Sequence, residues 1–314
     1  MLILLLLTLG STLTACGKKT ETPAEKTTSS TQPVSTEQPT QMTSSTKPVS
    51  TEQPTQATEP ENDITYTYSD NTLIIKGKGT LTSDFFVKNN LSEDDVKNVI
   101  IENGITKIDD DTKFEKGVFR HCTNLTSVTI PDSVTEIGER AFWGCDNLTT
   151  ITIPDSVTQI GSGAFSRCEN LIIEVHSNNN NYSSEDGVLF DKKKTTLLQY
   201  SPKKTSNTYS IPDSVTEIGE YAFYKCANLT TITIPNSVTE IGYGAFSDCT
   251  SLTAITIPDG ITEIGRYTFS NCENLTVTIP NSVHTIYNDT FLGCDLNKIT
   301  IPDSVEILEP ISID

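Results

Sequence analysis

The run Cys145-Asp146-Asn147-Leu148-Thr149-Thr150-Ile151-Thr152-Ile153-Pro154-Asp155-Ser156-Val157-Thr158-Gln159-Ile160-Gly161-Ser162-Gly163-Ala164-Phe165 is one full copy of a unit that recurs through the chain. Its chemistry reads as a short strand followed by a return arc. Leu148, Ile151 and Ile153 alternate with Thr150 and Thr152, the period-two pattern of a half-buried strand rich in β-branched residues. Pro154 has no N–H for a ladder and ends the strand. Val157 and Ile160 begin the arc, Gly161 allows a tight turn, and Ala164-Phe165 packs the outer side. Outward from this copy, Ile-Pro pairs recur at Pro131, Pro154, Pro212, Pro235, Pro258, Pro280 and Pro302, at steps of 23, 58, 23, 23, 22 and 22 residues. Cys122, Cys145, Cys168, Cys226, Cys249, Cys272 and Cys294 keep the same rhythm.

One strand per unit of about 23 residues is the signature of a leucine-rich solenoid. No unit can bury its apolar face alone, so the units stack into one continuous core. The expected fold is therefore a repeat solenoid, right-handed and β-rich, over residues 99–314, with one short strand per repeat. The 58-residue step equals 23 plus 35, which places a longer repeat variant at about 172–209.

The motif Ile-Pro-Asp-Ser-Val-Thr-Glu-Ile-Gly-x-x-Ala-Phe-x-x-Cys-x-x-Leu resembles the bacterial leucine-rich repeats of the BspA, or Treponema pallidum, type. The block holding Asp186-Gly187-Val188-Leu189-Phe190 and Leu197-Leu198-Gln199-Tyr200 is similar to the longer repeat of that family. Residues 64–98, with Asn71-Thr72-Leu73-Ile74-Ile75-Lys76-Gly77, resemble its strand-rich leading segment and would cap the first open edge. The resemblance implies a surface or secreted protein that adheres to host matrix, host cells or other bacteria.

The segments before residue 64 are of another kind. Leu2 to Leu13 is an apolar run too short to span a bilayer but right for an export signal. It leads into Leu13-Thr14-Ala15-Cys16-Gly17, which resembles the lipobox of bacterial lipoproteins and makes Cys16 the expected lipid anchor of residues 1–16. Residues 17–63 are Thr, Ser, Pro, Gln and Glu with little to bury, the composition of a disordered stalk. The formal net charge of −19 repels phosphate backbones, which argues against nucleic acid as a partner.

Candidate sites lie on the strands and in the long repeat. The solvent-facing strand positions are Ser127, Thr129, Thr150, Thr152, Thr208, Ser210, Thr231, Thr233, Thr256, Thr276, Thr278, Lys298 and Thr300. They form a flat array that reads as an adhesive face, as a surface that binds nothing, or as an ice-binding threonine array. Lys192, Lys193, Lys194, Lys203 and Lys204 form the only basic cluster and would attract an acidic partner. The evenly spaced cysteines read as a buried thiol ladder rather than as disulfides or a zinc site. Glu136, Glu217, Glu240 and Glu263 recur as a solvated acidic stripe. The Asn-Leu-Thr sequons follow from the repeat consensus. No nucleophile-base pair, phosphate loop or metal-ligand spacing stands out, so neither an enzyme nor a cofactor is expected. The expected partner is a protein or carbohydrate on another cell or matrix, with the membrane reached through the lipid alone. A non-adhesive envelope scaffold is the alternative, and an enzyme hidden in the long repeat a further one.

Overall fold

A computed structural model describes residues 63–108 and 117–308 of the chain, so Cys16 and the stalk lie outside the described residues. The repeats coil into a parallel β-solenoid with two strand-bearing faces. The front face carries Asn98–Ile101, Ser127–Thr129, Thr150–Ile153, Ile172–Val175, Thr208–Ser210, Thr231–Thr233, Ala254–Thr256, Val277–Thr278 and Ile299–Thr300. The back face carries Ile105–Ile108, Glu136–Ile137, Gln159–Ile160, Thr196–Gln199, Glu217–Ile218, Glu240–Ile241, Glu263–Ile264, Thr285–Tyr287 and Glu306–Leu308. Each turn thus has a second strand, mostly two residues long, where the sequence pattern predicts one strand per repeat. Two residues are too few to show an alternation. The acidic stripe lies on this second strand, with Glu217 opposite Glu240 in parallel register.

The leading hairpin, Asp63–Ser69 with Thr72–Leu81, is antiparallel. Its long second strand pairs with Asn98–Ile101 through Thr72 to Ile75 and with Ile105–Ile108 through Gly79 to Leu81. One strand therefore covers the first turn of both faces.

The repeat consensus has a stacking reason at each polar position. Ser156 donates to the Val134 carbonyl at 2.6 Å, and Ser237 donates to that of Val215 at 2.7 Å. Asn147 donates to Thr123 O at 2.8 Å and Asn274 to Thr250 O at 2.9 Å, which explains the asparagine of the Asn-Leu-Thr sequences. The Cys145, Cys249 and Cys272 thiols each donate to a phenylalanine carbonyl of the preceding turn at 3.1 Å. Among the described residues all seven cysteines are free thiols. Gly161 fits because the turns nearly touch: a Cβ there would lie 2.3 Å from Glu139 N.

The core is divided. Phe119, Phe142 and Phe165 stack at 5.2 and 5.7 Å between centroids. After the long repeat the column resumes with Tyr200, Phe223, Phe246, Phe269 and Phe291. Between them runs the long repeat's own hairpin, Tyr182–Glu185 with Val188–Asp191. Leu189 packs into the first core, while its neighbours Val188 and Phe190 pack into the second. This strand is a wall one layer thick. Buried Asn179 anchors its entry: Nδ2 donates to Pro154 O and Val157 O, and Oδ1 accepts from the backbone of Asn181 and Tyr182.

Candidate functional site

The front strands hold their hydroxyls in register. Thr208 lies opposite Thr231 and Ser210 opposite Thr233, followed by Thr233 opposite Thr256 and Thr278 opposite Thr300. Ser127 lies opposite Thr150 on the other side of the hairpin. Of the thirteen positions expected on strands, Thr152 is half-buried and the others are exposed. Lys298 is not on a strand but ends a short 3-10 turn, Leu296–Lys298, and pairs with Asp295 at 3.7 Å. The intervening Val128, Ile151, Ile232 and Ile255 point inward, so the period-two reading places both sets correctly.

The array is not continuous. Ile172–Val175 ends one sheet and Thr208–Ser210 begins another, with no pairing between them. The inserted hairpin separates them, and its Asp186-Gly187 turn emerges in the gap. A cleft of about 620 Å³ opens there, lined by Ile172, Ile173 and Glu174 on one lip and by Lys203 to Ser206 on the other. Ser184, Asp186, Gly187 and Ser201 form its floor.

The five lysines do not act as one patch. Lys203 and Lys204 line the cleft. Lys204 is ion-paired with Asp186, donates to the Asp186 carbonyl at 2.7 Å and sits 5.6 Å from the Tyr200 ring centroid. Lys194 is ion-paired with Glu185. Lys192 reaches Ser177 O at 3.5 Å, and Lys193 is exposed. Two of the five charges are thus cancelled by carboxylates of the same hairpin, a pairing that spacing along the chain does not reveal.

A second feature lies on the outer turn, between the consensus glycine and cysteine. All four arginines of the chain, its one tryptophan and four of its ten tyrosines fall there. The Arg167 guanidinium lies 5.4 Å from the Trp143 ring centroid and 4.9 Å from that of Tyr224. Trp143 meets Tyr221 edge-on at 4.7 Å. Lys225 pairs with Glu169 at 2.6 Å, and that carboxylate holds its ammonium above the ordinary lysine range. Tyr221, Tyr243 and Tyr267 continue the ridge at 5.2 and 5.4 Å between rings. The solenoid is thus fastened across the long repeat on its outer edge and open across it on the front.

A BspA type leucine-rich repeat model matches residues 88–197 and 195–312 in six copies. The chain belongs to the BspA type leucine-rich repeat family. Among solved structures it is similar to a leucine-rich cell surface protein from Faecalibacterium prausnitzii A2-165, with 36% identity and a TM-score of 0.62. That match covers 71% of this chain but 57% of the other, so the chain spans little more than half of that relative. A leucine-rich repeat protein from Eubacterium ventriosum shares 24% identity, with a TM-score of 0.46 and coverage of 77% and 84%. The pneumococcal vaccine antigen PcpA shares 17% identity, with a TM-score of 0.49 and coverage of 79% and 92%. No curated protein sequence matches.

Within this BspA type array, sequence reasoning located the front face and the irregular repeat but missed the outer ridge. The signal was present: every arginine sits between an Ile-Gly-type turn and a cysteine, or just before a cysteine, within one consensus window. Among the described residues no group of three His, Cys, Asp or Glu side chains is placed to hold a metal ion.

Proposed function

We propose that this protein is a cell-surface recognition module that adheres to a protein or glycan on host matrix, host cells or other bacteria. In this reading Cys16 carries the lipid anchor and residues 17–63 are the spacer that presents the solenoid. The observation that carries the proposal is the front face: exposed hydroxyls in strand register, flanked by a cleft, on a rigid stacked scaffold. Such a face offers many aligned donors and acceptors at low ordering cost, because the backbone beneath is already fixed. Membership of the BspA type family and the likeness to a leucine-rich cell surface protein support the same reading.

The test compares cells displaying the full chain with cells displaying Thr150→Tyr/Thr231→Tyr, on immobilised matrix proteins, host cells and other bacteria. Saturable attachment that the double variant loses is the expected result. Attachment unchanged by the variant removes the front face from the mechanism. Absence of attachment to every surface favours the envelope-scaffold alternative.

A further inference from the structure

The back ladder breaks once more beyond the long repeat. Glu217–Ile218 pairs with Glu240–Ile241, and Glu263–Ile264 pairs with Thr285–Tyr287, but Glu240–Ile241 and Glu263–Ile264 do not pair. Thr239 N–H donates to Thr216 O at 2.9 Å and Gly242 N–H to Ile218 O at 2.8 Å, and the next turn makes no such bond to residues 239–242. The same two turns stay joined elsewhere. Thr231–Thr233 pairs with Ala254–Thr256 on the front, and Gly244 N–H donates to Arg266 O at 3.0 Å on the outer edge. The opening is therefore local to the back. Two glycines record it. A Cβ on Gly242 would lie 2.6 Å from Glu220 N, whereas a Cβ on Gly265 would meet nothing nearer than Thr268 Oγ1 at 3.8 Å.

A groove of about 650 Å³ occupies the opening, within the roughly 300–1,000 Å³ of small-molecule sites. Tyr243 and Tyr287 line it, each half-buried. So do Glu217, Glu220, Glu240 and Glu263, none of which takes part in an ion pair among the described residues. Arg266, the cation of this lining, is engaged: its Nη1 lies 3.3 Å from Asp289 Oδ2, and its guanidinium 5.6 Å from the Tyr287 ring centroid. Acidic residues alone do not mark the place, since Glu136 belongs to the same stripe and is paired with Lys107 at 2.7 Å. Rings and empty space mark it.

This combination selects a ligand. Carboxylates only accept hydrogen bonds, so the ligand must bring donors. Part-exposed rings take an apolar counter-surface. A pyranose offers both, with hydroxyls around its rim and C–H groups on its faces. An anionic sugar would meet four unpaired carboxylates and be repelled.

We propose that this groove binds a neutral oligosaccharide, one pyranose lying against Tyr243 with its hydroxyls donating to Glu240 and Glu263. The proposal rests on the recognition reading above and adds to it a second site, on the back of the coil.

The experiment probes the full chain on an array of neutral, sialylated and amino-sugar oligosaccharides, then titrates the neutral glycan that binds by calorimetry. Expected are binding of neutral glycans, rejection of their sialylated forms, and an affinity that changes less than twofold between about 0.05 and 0.5 M sodium chloride. Gly265→Leu fills the groove where the backbone leaves room, and Tyr243→Ala removes the stacking face. Each weakens binding at least tenfold. The exposed pair Glu240→Gln/Glu263→Gln does the same without touching the core, and it carries the test if either of the others unfolds. A blank array, equal binding of sialylated glycans, or binding indifferent to Gly265→Leu and to the glutamine pair overturns the proposal. Binding that salt abolishes and spermine competes for marks a cation site and overturns it too. Glycan binding lost in Thr150→Tyr/Thr231→Tyr but kept in Gly265→Leu overturns it while leaving the front-face reading in place.

Discussion

Arg167 donates from Nε to the hydroxyl of Tyr224 at 2.8 Å, although the two are 57 residues apart in sequence. This bond, with the guanidinium lying against both the Tyr224 and Trp143 rings, ties the turn before the long repeat to the turn after it. Partly desolvated cation–π contacts contribute about 1–2 kcal/mol, and a hydrogen bond to a charged donor about 1.5–3 kcal/mol.

Arg167→Ala should therefore lower stability by about 2–3 kcal/mol. Trp143 is the only tryptophan and is 6% exposed, so its fluorescence reports on this junction. In urea, the variant's tryptophan emission should change at lower denaturant than its far-ultraviolet circular dichroism, because two cores joined at one wall can part before either unfolds. Coincident transitions in the variant would mean that the junction is held elsewhere.

The outer ridge holds bulky residues in a backbone conformation that favours glycine. Arg140, Tyr221 and Tyr267 have φ of 53°, 54° and 55°, where the equivalent turns use Gly163 and Gly244 at 61° and 58°. The left-handed conformation costs a side-chain-bearing residue roughly 1 kcal/mol, and a β-branched one more. Tyr267→Gly should then be nearly neutral, relief of strain offsetting lost ring packing. Tyr267→Val should cost about 2 kcal/mol more than the glycine variant, since it keeps the strain and loses the ring. Equal stabilities in chemical denaturation would refute the strain argument.

The phenylalanine column predicts a graded cost. Phe246 has ring neighbours on both sides, at 5.1 and 5.5 Å, and is fully buried. Phe246→Ala should cost about 4–5 kcal/mol, near the upper end for a deleted core ring. Phe165 has one stacked phenylalanine neighbour, Phe142. Its alanine variant should cost about 1 kcal/mol less, the value of one aromatic pair. Urea titration of the two variants decides it.

The thiol ladder makes the fold sensitive to alkali. Burial pushes the Cys294 thiol up from 9.0 to about 11, and the more deeply buried Cys122, Cys145, Cys226, Cys249 and Cys272 are raised further. Burial also raises Tyr209 from 10.0 to about 12. A raised acid pKa means that the folded state favours the neutral form. The corresponding stability is complete below pH 9, the unfolded thiol value, and is lost as pH climbs toward 11 and above. Unfolding free energy should thus be steady from pH 7 to 8.5 and fall steeply beyond pH 9. The native ladder thiols should resist alkylation at pH 8 and all react in urea. A stability curve level through pH 11 would contradict this.

The repeat was legible because stacking demands the same residue at the same place in every turn. Ile153, Pro154, Ser156 and Cys145 each answer to a neighbour in an adjacent coil, so their spacing alone reveals the solenoid and its inward and outward faces. What escaped was set by breaks in that rule. The gap depends on strands 172–175 and 208–210 failing to meet, and nothing in either segment marks it. The pairing of Lys204 with Asp186 and of Lys194 with Glu185 depends on where the hairpin turns back. The ridge was hidden because its members occupy different slots of the turn and come together only across the long repeat.

The dividing strand Val188–Asp191 has one more consequence. Its side chains touch only the turns beside it, so the number of coils farther out does not alter the geometry at the division. Whole units can be added or removed in either arm without changing how Leu189 meets the first core or how Val188 and Phe190 meet the second. The length of either arm and the shape of the division are then set independently of one another.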